Sequence, residues 1–286
     1  MPSIFDGLDE IINRSFGIDQ TWIWRGTQLD HMHRKTLQEL CKGRGRDVDG
    51  PQLVKELLEK VNSNWDQSDE ELRGVPPNQN NWRRLENLDL DPNHPGDEVT
   101  LERTITQVTD GNWWNQIPVE QALLGIEHGR VVDLVHRDGV GGRDFEIIEL
   151  KTGNPYTPLS AASQVLKYGI VYAFYRSRLY EIFPGQTETE LLNATRLKLI
   201  VLAPWGFYRK FATCDWLVQF ESSLQDALLH ISTNSGLNLP EMSFQFQSFP
   251  KDFEWAAEMA NSEQGRKEAL WAVHHRTPVF TKVKVD

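Results

Sequence analysis

The spacing of apolar positions changes along the chain, and each change predicts an element. In "LDHMHRKTLQELC" and "PQLVKELLEKVNSNW" apolar residues recur at helical spacing, so roughly the first ninety residues are predicted helical, with the Gly/Arg-rich "KGRGRDVDG" between the runs. From Asp66 to about Pro95 the chain is polar and rich in Pro and Asn, which reads as a linker or long surface loop. A helix is predicted from near Glu98 through "VTLERTITQVTD". "QIPVEQALLG" and "GRVVDLVHRDG" then read as two strands joined by a short turn around His128 and Gly129. "GVGGR" turns the chain into a third strand, "DFEIIELKTG", completing a meander.

Beyond Gly153, "NPYTPLSAASQVLKYGIVYAFYRSR" combines a proline-containing start with a long helical run, predicting an amphipathic helix. "LKLIVLAPW" is a continuous apolar run of strand length, suited to the buried middle of a sheet. A helix in "DWLVQFESSLQDALLHI", a period-two strand in "MSFQFQSF", a further helix in "FEWAAEMANSEQGRKEALWAVHH" and a short tail complete the chain. No internal repeat is visible. This order predicts an α/β fold with a mixed central sheet flanked by helices.

Composition narrows the class. With 286 residues, 39% hydrophobic, and ten tryptophans, the chain is expected to fold around a proper core as one large or two small domains. No stretch approaches the roughly 18 apolar residues of a membrane span, and the N-terminus lacks a basic segment followed by an apolar one. No membrane partner is expected, and a cytoplasmic location is the default. Cys41 and Cys214 are too few and too far apart to suggest a disulfide framework or a zinc site. The net charge of -11 argues against coating of nucleic acid by general electrostatics. It leaves open an enzyme that reaches phosphates through bound cations and a local basic patch.

The third predicted strand poses a chemical problem. Strand side chains alternate, so Phe145, Ile147, Glu149 and Lys151 share one face while Glu146, Ile148 and Leu150 share the other. A buried unpaired carboxylate costs several kcal/mol, so something must compensate for Glu149 and Lys151. One strand earlier, Asp133 stands between Val131 and Val135 on one face. If antiparallel neighbours bring Asp133 beside Glu149, two carboxylates meet next to one lysine, and a hard divalent cation such as Mg2+ resolves the repulsion. On the following helix Ser160, Gln164, Tyr168 and Tyr172 are spaced by four and form a polar stripe, with Leu159, Ala162, Leu166, Ile170 and Phe174 free to face the core.

Together, Gly129-Arg130-Val-Val-Asp133, Glu149-Leu-Lys151 and Gln164-x-x-x-Tyr168 resemble the PD-(D/E)XK nuclease superfamily, and within it the RecB-type branch whose core helix carries Q-x-x-x-Y. The resemblance covers roughly residues 98 to 215. Val132 stands where the namesake motif has proline. The resemblance implies a restriction-endonuclease-like core with helical additions at both ends: a helical N-terminal region and polar linker over 1–95, and the nuclease-like domain with a C-terminal extension over 96–286. It implies a nuclease that hydrolyses phosphodiester bonds of nucleic acid, DNA in the first instance, with Mg2+ as cofactor and Mn2+ as the alternative ion. Asp133 and Glu149 would be metal ligands with the carbonyl of Leu150, and Lys151 would orient or activate the attacking water. Gln164, Tyr168 and Lys167 would contact substrate. Glu102 is the choice for the family's further glutamate on the leading helix, with Glu98 and Glu120 as rivals.

Blander readings stand beside these. Asp133 and Glu149 could be salt-bridged with Lys151 or Arg130 as a structural cluster, and the fold could serve as a catalytically inactive nucleic-acid-binding or protein-interaction module. A glycosidase with paired carboxylates is weaker, because it gives the lysine and Q-x-x-x-Y no role. His31 and His33 lie two apart on a helix and point to different sides, which disfavours shared ligation, and His274 with His275 fares no better. Trp113 and Trp114 read as packing residues. Lys42, Arg44 and Arg46 suit a solvated turn as well as a phosphate contact, whereas Lys167, Arg176 and Arg178 lie on or just after the helix that lines the expected site.

Overall fold

The computed structural model describes residues 3–17, 27–43, 47–68, 82–83, 96–109, 111–120, 130–139, 142–153, 156–178, 190–234 and 236–280, with the backbone alone over 27–33. Helices α1 (Leu8–Ser15), α2 (Thr27–Leu40), α3 (Gly50–Asp66) and α4 (Asp97–Val108) precede a meander of β1 (Trp113–Pro118), β2 (Val131–Asp138) and β3 (Asp144–Leu150). The long helix α5 (Pro158–Ser177) leads to β4 (Arg196–Ala203), the short α6 (Trp205–Tyr208) and α7 (Asp215–Asn234). Then come β5 (Glu241–Ser248), α8 (Glu263–His274) and the two-residue β6 (Thr277–Pro278).

The six strands form one mixed sheet in chain order. β1, β2 and β3 pair antiparallel, β3, β4 and β5 pair parallel, and β6 returns antiparallel on β5. β4 is central, and its residues divide between the two apolar layers. Leu197, Leu199 and Val201 face the layer built with α1, α3, α5 and α7, while Ile200 and Leu202 face the layer built with α4 and α8. That two-sided burial is why its sequence is continuously apolar rather than alternating. The expected α/β class with a mixed, helix-flanked sheet is what the chain forms.

The start of α5 is set by local chemistry. The Thr157 hydroxyl accepts from the Ser160 N–H, the Ser160 side chain returns a bond to the Thr157 N–H, and proline occupies the first helical turn. Gly169 lets this helix press onto β4, since a Cβ there would stand 2.3 Å from Leu199 Cδ1. The helix departs from the amphipathic expectation because it lies between the sheet and the N-terminal helices. Ile170 and Phe174 are buried, and so are Tyr168, Tyr172 and Tyr175. Two packed layers leave it no solvent face over most of its length.

Other differences have equally local causes. β1 begins at Trp113, earlier than expected, so the two tryptophans lie within the strand, one in each apolar layer. The turn expected around His128 and Gly129 lies outside the described residues. The helix expected in the C-terminal run is divided: a 3-10 turn over Ala257–Asn261 ends at Ser262, whose hydroxyl accepts from the Gly265 N–H and starts α8. Within the expected polar linker, Trp82 is fully buried against Tyr172 and Tyr175, and its backbone N–H donates to the Pro118 carbonyl at 2.8 Å. Residues of α1–α3 share one apolar cluster with the sheet. Cys41 and Cys214, separated by 173 positions, form a disulfide that ties the end of α2 to the start of α7. Their separation in sequence concealed a pairing that folding creates. Among the described residues no helix is long and apolar enough to cross a membrane.

Candidate functional site

Leu134 pairs with Ile148 and Val135 with Ile147, which brings Asp133 level with Glu149 just where the ladder between β2 and β3 ends. The N–H of Leu150 donates instead to Asp133 Oδ2 at 2.9 Å. The aspartate thus replaces a missing ladder partner, which fixes its carboxylate beside the C-terminal end of β3. On β1, Gln116 at the same level holds a left-handed backbone with φ 52°, an uncommon conformation for a residue other than glycine, and of the kind that collects at functional sites.

Lys151 is the hub. Its Nζ lies 2.6 Å from Glu149 Oε1, 2.9 Å from Glu98 Oε1 and 3.8 Å from Asp133 Oδ2, donates to the Leu150 carbonyl at 2.8 Å, and sits 4.7 Å from the Tyr156 ring centre. Glu149 is fully buried and ion-paired with Lys151. Three acids therefore face one ammonium.

The titration behaviour follows. Burial, reinforced by Asp133 and Glu98, pushes the Glu149 carboxyl well above the usual range despite Lys151. Burial likewise raises Asp133 against the pull of Lys151 and the Leu150 N–H. Burial raises Glu98 too, although Lys151 opposes it. For Lys151, burial disfavours charge, but Glu149, Asp133 and Glu98 outweigh it and hold the ammonium firmly protonated.

α4 supplies two glutamates to this region, one turn apart on one face. Glu98 contacts Lys151 directly. Glu102 is buried behind it, pushed up to about 9 by burial and the nearby Asp133, with Asn115 and Gln116 as polar neighbours. Glu120 stands apart, bonded by the Ser3 hydroxyl and 3.8 Å from Arg130 Nε. The i, i+4 spacing of Glu98 and Glu102 was a readable sign that both belong together. Tyr156 and Gln116 left no such sign in the sequence.

The helix motif lies alongside. Gln164 Nε2 donates to the Tyr168 hydroxyl at 3.3 Å, and burial followed by the charges of Glu149 and Asp133 raises Tyr168 above its ordinary value, which places its hydroxyl near the acidic pair. Tyr172, the next residue of the expected stripe, donates to the Leu191 carbonyl instead. Lys167 is buried and paired with Asp9 of α1 at 2.6 Å. Arg178 binds Asp66 and Asn62 of α3 at the far end of a 20-residue helix, roughly 30 Å long, and Arg176 shares that end. Lys42 pairs with Glu39 at the surface, and His275 bonds the Trp271 carbonyl. Gly129, Arg44, Arg46 and the side chains of His31 and His33 lie outside the described residues.

Among the described residues, no group of three His, Cys, Asp or Glu side chains is arranged to hold a metal ion. The chemistry nevertheless fits a hard divalent cation: all the donors are oxygens, and three acids converge on a single ammonium. Lys151 Nζ reaches Asp133, Glu149 and the Leu150 carbonyl, the same three groups expected as ligands. Comparison with protein-family models, with curated proteins and with solved structures finds no match to this chain.

Proposed function

We propose that this chain is a metal-dependent phosphodiesterase of the restriction-endonuclease-like type, cleaving nucleic acid and in the first instance DNA. The observation that carries the reading is the convergence of Glu149, fully buried at the end of a central strand, with Asp133 and Glu98 on the single ammonium of Lys151, so that three acids face one cation. An ordinary structural ion pair needs one acid for its ammonium, and further buried acids cost stability unless they have a use.

Asp133, Glu149 and the Leu150 carbonyl would hold Mg2+ or Mn2+, which when bound supplies Lewis acidity and a lowered water pKa. Lys151, held among these acids, would orient water and stabilise negative charge on a phosphate oxygen. Glu98 steadies that ammonium from α4. Gln164 and Tyr168 offer hydrogen-bond donors beside the acidic pair. Water attack at phosphorus forms the new P–O bond as the bond to the 3′ oxygen breaks, and that oxygen leaves as a hydroxyl carrying the proton lost by the water. A cytoplasmic setting belongs to this reading, and the Cys41–Cys214 disulfide is the observation that stands against it, since such bonds persist mainly in oxidising compartments.

One observation favours a second reading, an inactive binding module: Lys151 itself fills the place among the expected ligands. Calorimetry with Mg2+ and Mn2+, and cleavage of linear, nicked and single-stranded DNA and of RNA, separate the two. The enzyme reading expects cleavage by the wild type, loss of both metal binding and cleavage in Asp133→Ala, and metal binding without cleavage in Lys151→Ala. A wild type that cuts none of these, with Asp133→Ala binding metal equally well, establishes the module instead.

A further inference from the structure

A cleft of about 610 Å³ opens next to the acidic cluster, at the C-terminal ends of the parallel strands. Thr152 and Gly153, which directly follow Lys151, form part of its lining, and so does Tyr156, the ring that Lys151 Nζ approaches. The loops after β4 and β5 and the helix α2 supply the rest. Such a position, outside the carboxyl ends of parallel strands, is where open α/β sheets bind ligands.

Its chemistry differs from that of the molecule as a whole. Although the chain carries a net charge of -11, the described residues lining the cleft include Arg34, Arg209, Lys210 and Lys251 against one carboxylate, Glu254. Arg209, Lys210 and Lys251 are exposed. Aromatic rings share the lining with these cations: Tyr156 is 37% exposed, Trp205, Phe207 and Trp255 are half-buried, and Lys251 Nζ lies 5.2 Å from the Trp205 ring centre.

We propose that this cleft binds single-stranded nucleic acid, its aromatic rings stacking bases and its cations taking phosphates, so that a phosphodiester is delivered to the Lys151 end. Stacking on a side chain requires an open base face, which a duplex does not offer, and a groove that combines cations with aromatic rings is the pattern of single-strand platforms. The volume suits one or two nucleotides rather than a double helix. The inference rests on the nuclease reading only for the fate of the strand; binding itself requires no catalysis.

The test is fluorescence anisotropy of the full chain in EDTA, with labelled oligo-dT, oligo-rU and a blunt DNA duplex. Single strands are expected to bind about tenfold or more tightly than the duplex, and the dT and rU arms decide between DNA and RNA. Tyr156→Ala and Lys251→Glu, both at exposed positions and checked for fold by circular dichroism, should each weaken single-strand binding about fivefold or more. Lys251→Glu should also lower the salt dependence by about one phosphate contact. Equal or tighter binding of the duplex, or wild-type affinity in both variants, overturns the cleft. Failure of the nuclease reading looks different: intact single-strand binding with no cleavage under either metal leaves the cleft standing, while cleavage with unaltered binding in the variants removes the cleft alone.

Discussion

Replacing Glu102 by glutamine tests the electrostatics of the site without touching the Lys151 contacts. Glu102 is 3% exposed, its Oε1 has no hydrogen-bond partner, and burial with the neighbouring Asp133 lifts its carboxyl from an ordinary 4.5 to about 9. Below pH 4.5 the folded and unfolded chains both hold the proton, and the contribution to stability is fully present. Between 4.5 and about 9 only the folded chain holds it, so stability falls as pH rises, by about 1.4 kcal/mol per unit, until the folded carboxyl also ionises. Glutamine keeps the shape and removes the titration. The variant should match the wild type near pH 4.5 and exceed it by about 3 kcal/mol at pH 7, an order-of-magnitude figure from the interval of about 2.5 units. Urea unfolding in EDTA across this range measures the difference directly, and EDTA matters because a bound cation would favour the ionised form. Parallel pH profiles for the two proteins, or a less stable variant at pH 7, would refute the claim that Glu102 is held neutral by its surroundings.

Two further outcomes concern stability. Cys41→Ser with Cys214→Ser should lower the unfolding free energy by about 2–4 kcal/mol, and reductant should affect the wild type but not the double variant; insensitivity of the wild type to reductant would show that the bond is not formed. Arg276 contacts Glu146, whose side chain is mostly buried, and lies 4.8 Å from the Trp113 ring centre. Because Glu146 keeps His136 and Lys198 as partners, Arg276→Ala should cost about 1–3 kcal/mol in chemical denaturation, and no measurable change would assign the pair to the solvated surface.

What could be read in the sequence was local. The alternation that puts Glu149 with Phe145 and Ile147, the Thr157-Pro158 start of α5 and the apolar run of β4 all follow from neighbours within a few residues, where backbone geometry sets the spacing. Opposite charges two apart on an apolar strand were enough to mark where chemistry was expected. The amphipathic reading of α5 failed because a helical period reports one buried face and is silent about a second layer packed on the other side. The buried Trp82 was hidden within polar surroundings, and the break at Ser262 within a continuous helical pattern.

Sequence alone, then, determined the order and type of most elements and put Asp133, Glu149 and Lys151 on strands that could meet. Tertiary structure decided which groups they meet. It drew Glu98 rather than Glu102 onto Lys151 and left Glu120 beside Ser3. It joined Cys41 to Cys214 across 173 positions, and it assembled the cleft from α2 and the ends of three strands. The reason is physical: periodicity encodes a residue's face on its own element, whereas contacts between distant elements depend on how the sheet orders its strands and how closely helices such as α5 press upon it. At Gly169 the absence of a single Cβ permits that approach.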